Sequence, residues 1–297
     1  MERILFIINP ISGTRNKLSL PGLIAQHIDS KRYSWEITNT KCKGDGTHLA
    51  KEAAEAGYDV VVAVGGDGTV NEVASGVRDS QTAFGILPIG SGNGLARTVG
   101  IPMNTVKAIE LLNTASPTSI DYGLINGHPF FCTCGTGFDA VISHRFAQQK
   151  KRGLLTYIKT MFPTYANYHP EHIVINAKGI HVDTNAFFVT VANAGQWGNN
   201  AYVAPQADLQ DGVLDICIMS KMPIYEIPIA VFNMFTRRMD KDLFMTTLKA
   251  SSLSITRDNA GPFHFDGEPN SEPAKVDISV VNRGLKIIAG SNSKLKW

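Results

Sequence analysis

At 297 residues the chain is too long for one small core and predicts about two domains. With 43% hydrophobic and 18% charged residues its composition is that of an ordinary globular protein, and a net charge of +2 gives no mandate for nucleic acid. Four cysteines, Cys42, Cys132, Cys134 and Cys217, are too few for a disulfide framework at this length, and Cys132-x-Cys134 lacks zinc-ligand spacing, so reduced thiols in a cytoplasmic setting are expected.

The chain opens on an apolar strand, Arg3–Ile8, with no charged-then-apolar leader pattern. No apolar run approaches the roughly 18 residues of a membrane span. Strand patterns at Ile4–Ile8, Trp35–Asn39, Asp59–Val64 and Ala83–Ile89 alternate with helical patterns at Leu18–Ile28, Thr47–Ala56, Val70–Val77 and Thr105–Asn113. Thr47 reads as the cap of the second helix. Such alternation predicts an α/β domain over residues 1–120, doubly wound around a mostly parallel sheet.

After Ile120 the texture changes. Apolar-alternating segments follow one another at Pro129–Cys134, Ile173–Ala177, Ala186–Val191, Leu214–Met219, Ser252–Thr256 and Val276–Val281. They predict an antiparallel β domain over 121–283, interrupted by helical inserts around Ala140–Phe162 and Ile224–Met239. Residues 284–297 fit either domain, and a return to the first would tie the two together.

Three loops follow strands of the first domain: Asn9-Pro10-Ile11-Ser12-Gly13-Thr14, Gly65-Gly66-Asp67-Gly68-Thr69 and Gly90-Ser91-Gly92-Asn93-Gly94. In a parallel sheet, ligands collect at the carboxyl ends of the strands. Glycines let a ligand approach the backbone, and the helix start after Thr69 adds unpaired N–H groups and a positive dipole end. One such loop could be a tight turn capped by Asp67 or Thr69. Three on successive strand ends point to a phosphate-rich ligand, most simply a nucleoside triphosphate. None matches the Walker, protein-kinase or dinucleotide fingerprints.

The stretch Gly65–Val73, Asn9-Pro10-x-Ser12-Gly13 and Pro88-x-Gly90-Ser91-Gly92-Asn93-Gly94-Leu95-Ala96 together resemble the diacylglycerol kinase catalytic-domain superfamily, which includes sphingosine kinases and bacterial soluble lipid kinases. The resemblance continues through Gly135–Ala140, Asp208–Leu214 and Asp266-Gly267-Glu268, in order and spacing over residues 5 to 270. It implies an NAD-kinase/diacylglycerol-kinase-like α/β domain followed by a β-sandwich that takes a lipid substrate. It implies that Asn9 to Thr14, Gly65 to Glu72 (Asn71 included), and Gly90 to Asn93 hold ATP. Thr40 matches a further nucleotide contact less well, because Lys41–Gly46 is longer than the usual spacing. Asp208, Asp211 and the carbonyl of Val213 match a structural magnesium segment, although Asp-Gly before an apolar run is also a plain hairpin signal. Glu268 matches the general base.

Phosphoryl transfer needs a positioned γ-phosphate, neutralisation of its developing charge and removal of the acceptor proton. The loops supply position, Mg2+ supplies charge, and Asp67 is the candidate to organise that ion. Arg97 could add positive charge or form a helix-surface salt bridge. In an extended stretch Asp266 and Glu268 share a face, one organising water or metal and the other taking a proton. The alternative is a solvated acidic hairpin.

The expected activity is therefore an ATP-dependent lipid kinase acting at the cleft between the domains on a free lipid hydroxyl, in the cytoplasm or at the inner face of the membrane. Aromatic-rich segments at Phe130-Phe131, Leu154–Ile158, Met161-Phe162 and Val231–Phe235 are either core or lipid slot. Arg145–Phe162, with Lys150-Lys151-Arg152, suits peripheral docking on an anionic membrane. Two other readings stand beside this one: a soluble NAD-kinase-like enzyme and a non-catalytic, membrane-associated nucleotide sensor. The oligomeric state stays open, a dimer included.

Overall fold

A computed structural model describes residues 1–11, 19–147, 164–290 and 295, which fall into two compact units. The first comprises Met1–Asp121 and Asn282–Trp297, the second Tyr122–Val281.

In the first unit, strands β1 (Glu2–Ile8), β2 (Tyr33–Asn39), β3 (Val60–Gly65) and β4 (Ala83–Pro88) pair in parallel in the order β2-β1-β3-β4. All residues of β3 and β4 are buried, which explains their unbroken apolar runs: a parallel strand covered on both faces has no polar side to show. Between them run helices α1 (Leu20–His27), α2 (Asp45–Glu55) and α3 (Asp67–Val77). A short α4 (Gly94–Thr98) and α5 (Thr105–Thr114) follow β4.

Two helix starts differ from expectation. Helix α2 begins at Asp45 rather than Thr47, because Gly44 reverses the chain at φ 87 as its cap. Helix α3 begins at Asp67 rather than Val70, so the polar half of the glycine turn is its first turn.

The second unit is built from antiparallel strands. After β5 (Pro117–Ile125), which enters it, come β6 (His128–Phe130), β7 (Thr133–Gly137), β8 (Glu171–Ala177), β9 (Ile180–Ala186) and β10 (Phe188–Ala192). The remainder are β11 (Leu214–Met219), β12 (Met245–Ala250), β13 (Ser252–Arg257), β14 (Gly261–Phe265), β15 (Glu268–Glu272) and β16 (Lys275–Ile288). One sheet runs β12-β11-β10-β7-β14-β15; the other layer runs β16-β13-β8-β9. Val189, Val191, Ile216 and Phe263 of the first meet Ile173, Ile175, Ile255 and Ile278 of the second in one core, which makes the unit a β-sandwich.

Helix α6 (Phe138–Ala147) follows β7, and α7 (Ile227–Phe235) lies between β11 and β12. The insert expected as one helix over Ile224–Met239 is thus a shorter helix, with single 3₁₀ turns at Ile224–Glu226 and Met239–Lys241. The strand expected at Pro129–Cys134 is split between β6 and β7, because the amides of Phe131 and Cys132 turn to a carboxylate instead of a ladder. Strand β16 runs on past Val281; its Ile287 pairs in parallel with Phe84 of β4 in the first unit. Among the described residues no helix is long and apolar enough to cross a membrane.

Candidate active site

Strand register sets the level of the three glycine-bearing loops. Ile8 pairs with Val64, and Gly65 with Pro88, so the loops after β1, β3 and β4 leave neighbouring strands side by side. Side chains then join them. Asn9 Nδ2 donates to Thr69 Oγ1 at 3.2 Å, while its Oδ1 accepts the Ile11 amide at 3.1 Å. Asp67 accepts the Asn93 amide on Oδ2 at 2.9 Å and the Gly94 amide on Oδ1 at 2.7 Å.

Between the second and third loops the backbones touch: a Cβ on Gly90 would stand 2.5 Å from Gly66 Cα. Only glycine permits that approach. Asn93 is left-handed at φ 53, and its Nδ2 donates to the Gly90 carbonyl at 2.6 Å. Arg97 Nε donates to the Gly92 carbonyl at 2.9 Å, so Arg97 braces the third loop.

These side chains tie loop to loop around the start of α3. Val70 N bonds back to Gly66 O, so the first-turn amides of Asp67, Gly68 and Thr69 precede the first intrahelical bond of α3. They are aligned with the positive end of the helix, the arrangement that binds phosphate. Magnesium accompanies ATP phosphates in such sites, bound through one or two protein oxygens and otherwise through phosphate and water. The donor set fits: Asp67 supplies a fixed carboxylate, and Asn93 Oδ1 is a buried oxygen with no hydrogen-bond partner.

The other expected nucleotide contacts stand on the same loops, at the end of β2 or within α3. Glu72 is engaged elsewhere, accepting the amides of Gly44 at 2.8 Å and Gly46 at 3.1 Å. It holds the start of α2 against α3. Thr40 is buried, with its amide on Ile8 O at 2.9 Å, while Pro10 and Ser91 are exposed at their loop tips. Ser12, Gly13 and Thr14 lie outside the described residues, as do the basic run Lys150–Arg152 and the segments Leu154–Ile158 and Met161-Phe162.

In the second unit, Asp266-Gly267-Glu268 takes the hairpin alternative rather than the extended stretch. Asp266 (φ 49) and Gly267 (φ 82) form the two-residue turn between β14 and β15, with Phe265 paired to Glu268. Two positive φ values in succession suit an Asp-Gly hairpin. The Asp266 carboxylate accepts the amides of Phe131 at 2.9 Å, Cys132 at 2.7 Å and Thr133 at 3.1 Å. It anchors the hairpin that presents exposed Glu268. Beneath it, burial and the nearby charges of Asp266 and Asp139 push the Cys134 thiol well up, marking a structural rather than a reactive cysteine.

Sequence reasoning missed a second set of tethers to this hairpin. On α6, Ser143 Oγ donates to Gly267 O at 2.8 Å, and His144 Nε2 meets Asn270 O at 2.6 Å. Buried His264 on β14 meets Asp139 Oδ2 at 3.0 Å, and Thr190 Oγ1 donates to the same oxygen at 2.7 Å. The available signal was the Gly135–Ala140 motif, whose Asp139 is its one ionisable residue.

Asp208, Asp211 and Val213 form a different kind of site from a three-ligand metal centre. Asp208 Oδ1 accepts the Gln210 amide at 2.9 Å, and Asp211 Oδ1 the Val213 amide at 3.2 Å. Lys249 Nζ lies 3.1 Å from Asp211 Oδ2 and 3.3 Å from Asp215 Oδ2. Burial works against the Lys249 ammonium, but the hydrogen bond to Asp211 and the charge of Asp215 outweigh it and raise its pKa. Burial raises the Asp215 carboxyl, with Lys249 opposing. The cluster already holds its cation, and the set does not fit a divalent ion as directly.

Two family models match the chain: the diacylglycerol kinase catalytic domain over residues 3–125, and the YegS C-terminal NAD kinase beta sandwich-like domain over 132–289. It is 30% identical over 276 residues to a protein of Bacillus subtilis (strain 168) named diacylglycerol kinase, covering 90% of each chain. It is 29% identical over 252 residues to a Chromohalobacter salexigens protein named "Probable lipid kinase YegS-like", covering 82% of this chain and 79% of that one. A solved structure described as a diacylglycerol kinase from Bacillus anthracis str. Sterne has the same fold, with a TM-score of 0.74 at 21% identity over 98% of this chain and 97% of that one.

Proposed function

The chain belongs to the diacylglycerol kinase catalytic-domain family, and on that premise we propose that it is an ATP-dependent lipid kinase that phosphorylates a lipid hydroxyl, diacylglycerol or a sphingoid base being the leading acceptors. The observation that carries this reading is the joining of three strand-end loops by Asn9–Thr69 and by Asp67 with Asn93 and Gly94. It sets the start of α3, with its positive dipole end, beside the first and third loops, the arrangement that receives the phosphates of one nucleotide.

In this mechanism the amides of Asp67, Gly68 and Thr69 orient the phosphates, and Asp67 and Asn93 would hold magnesium. Magnesium, when bound, neutralises charge on the transferring phosphoryl group. Glu268 takes the acceptor hydroxyl proton as the acceptor oxygen bonds to the γ-phosphorus and the bond to the bridging oxygen of ADP breaks. Asp266 holds the hairpin that positions Glu268. Four free cysteines support a reducing, cytoplasmic setting.

Radiolabelled ATP offered with diacylglycerol, sphingoid bases, ceramide, phosphatidylglycerol and NAD tests the reading. Label in a lipid, lost in Glu268→Gln while ATP binding persists, is the expected result. Label in NAD alone, or in no acceptor, overturns it.

A further inference from the structure

Helix α7 exposes an unusual surface. Among the described residues, the large hydrophobic side chains left exposed are Met1, Ile11 and seven that fall between residues 224 and 243. Helix α7 turns Ile227, Ala230 and Met234 toward a core cluster, and Asn233 Nδ2 donates to Asp242 Oδ2 at 2.9 Å beside them. The rest of its circumference is Pro228, Ile229, Val231, Phe232 and Phe235, all facing out. Ile229 is 54% exposed, Phe232 58% and Phe235 49%, and Tyr225 and Leu243 on the flanking turns reach 72% and 92%. A surface helix normally puts polar residues there. A concentrated apolar patch of this kind marks an interaction site.

The charges around the patch are sorted by sign. Asp242 is buried, its carboxylate taken by Asn233 and by the Phe244 amide at 3.1 Å. Asp240 is half-buried and accepts Gln206 Nε2 at 3.4 Å; half-buried Glu226 is the remaining acid. Arg237, Arg238 and Lys241 are exposed. Arg237 lies 4.3 Å over the Tyr202 ring and donates to its hydroxyl at 2.6 Å, which fixes the guanidinium beside the end of α7.

We propose that α7 and its flanking turns dock the protein onto an anionic phospholipid bilayer. The helix lies in the interfacial plane with Ile229, Phe232 and Phe235 among the acyl chains, and the cationic rim meets the headgroups. At nine residues it is about 13 Å long, suited to lying in the interface and far short of a span. The inference stands apart from the transfer reading, and its test uses neither ATP nor an acceptor.

Sedimentation of the full chain is measured with vesicles of phosphatidylcholine alone and of phosphatidylcholine with phosphatidylserine, without nucleotide. The expected result is binding to the phosphatidylserine vesicles that weakens as salt is raised. Ile229→Ser with Phe232→Ser should weaken it about tenfold or more. Arg238→Glu with Lys241→Glu, at exposed positions that do not touch the core, should weaken it and flatten its salt dependence. The proposal is overturned if wild-type protein ignores phosphatidylserine, if both variants bind as wild type does, or if light scattering shows a dimer that the Ile229/Phe232 variant dissolves. Vesicle binding by a wild-type protein that passes no label from ATP to any acceptor in the separate transfer assay would count against the transfer reading alone.

Discussion

Asp67 and Gly94 close the gap between two strand-end loops, the Gly94 amide donating to Asp67 Oδ1 at 2.7 Å while the Asn93 amide occupies Oδ2. A carboxylate accepts on both oxygens, whereas the side-chain amide of asparagine accepts on one and would set its NH2 against a backbone N–H. Asp67→Asn should therefore cost about 1.5–3 kcal/mol locally and loosen the third loop. Calorimetric titration should show ADP binding weakened about tenfold or more with magnesium and without it. Weakening seen only when magnesium is present would mean that the loop contact is unimportant and that Asp67 acts through the ion.

The Gly66–Gly90 approach predicts a steric effect of similar size. A Cβ at position 90 meets backbone, which cannot swing aside as a side-chain tip can. Gly90→Ala should force the two loops apart, at about 1–3 kcal/mol, and weaken nucleotide binding with it. Gly22→Ala is the control: nothing lies within 4 Å of its Cβ position on α1, so nucleotide binding should not change. Equal nucleotide affinity in both variants would refute the role given to this contact.

Asp266 and Glu268 are two residues apart yet should fail differently. Asn tolerates the positive φ of the hairpin turn, so Asp266→Asn keeps the turn and removes the charged acceptor of three amides. A loss of about 2 kcal/mol is expected, with kcat reduced and the KM for ATP unchanged. Glu268→Gln should abolish transfer without lowering Tm. Full turnover in Asp266→Asn would show that the hairpin needs no anchor for catalysis.

How far the sequence reaches follows from the range of the forces involved. Strands β3 and β4 were legible because burial on both faces leaves unbroken apolar runs such as Val60–Val64. Strand β15, Glu-Pro-Asn-Ser-Glu, carries no such pattern; its pairing with β14 is set by the turn and by Asp266. The same division holds at the site. The glycine loops are local and readable, while Asn9–Thr69, 60 residues apart, and His264–Asp139, 125 apart, exist only once the chain has folded. Asp-Gly at 266–267 is a hairpin signal readable in the sequence, and of the two local readings, extended stretch or acidic hairpin, the fold takes the hairpin.

The Lys249 bridge leads to a prediction about metal removal. A divalent ion bracing the Asp208–Val213 turn would make stability depend on it, by mass action. An ammonium already within 3.3 Å of both Asp211 and Asp215 makes the turn self-sufficient, so the wild-type Tm should not change with EDTA. Lys249→Met leaves Asp215, which is fully buried, beside Asp211 with no counter-charge. Breaking a fully buried pair costs about 3–5 kcal/mol, but the half-exposed lysine is screened by water, so about 1–2 kcal/mol is expected here. At about 2–4 °C per kcal/mol, calorimetry should resolve the drop in Tm. Magnesium should restore part of it in the variant, where the acids have lost their cation, and none in the wild type. A wild-type Tm that falls in EDTA and returns with magnesium would reverse the assignment and make the lysine an accessory to a metal.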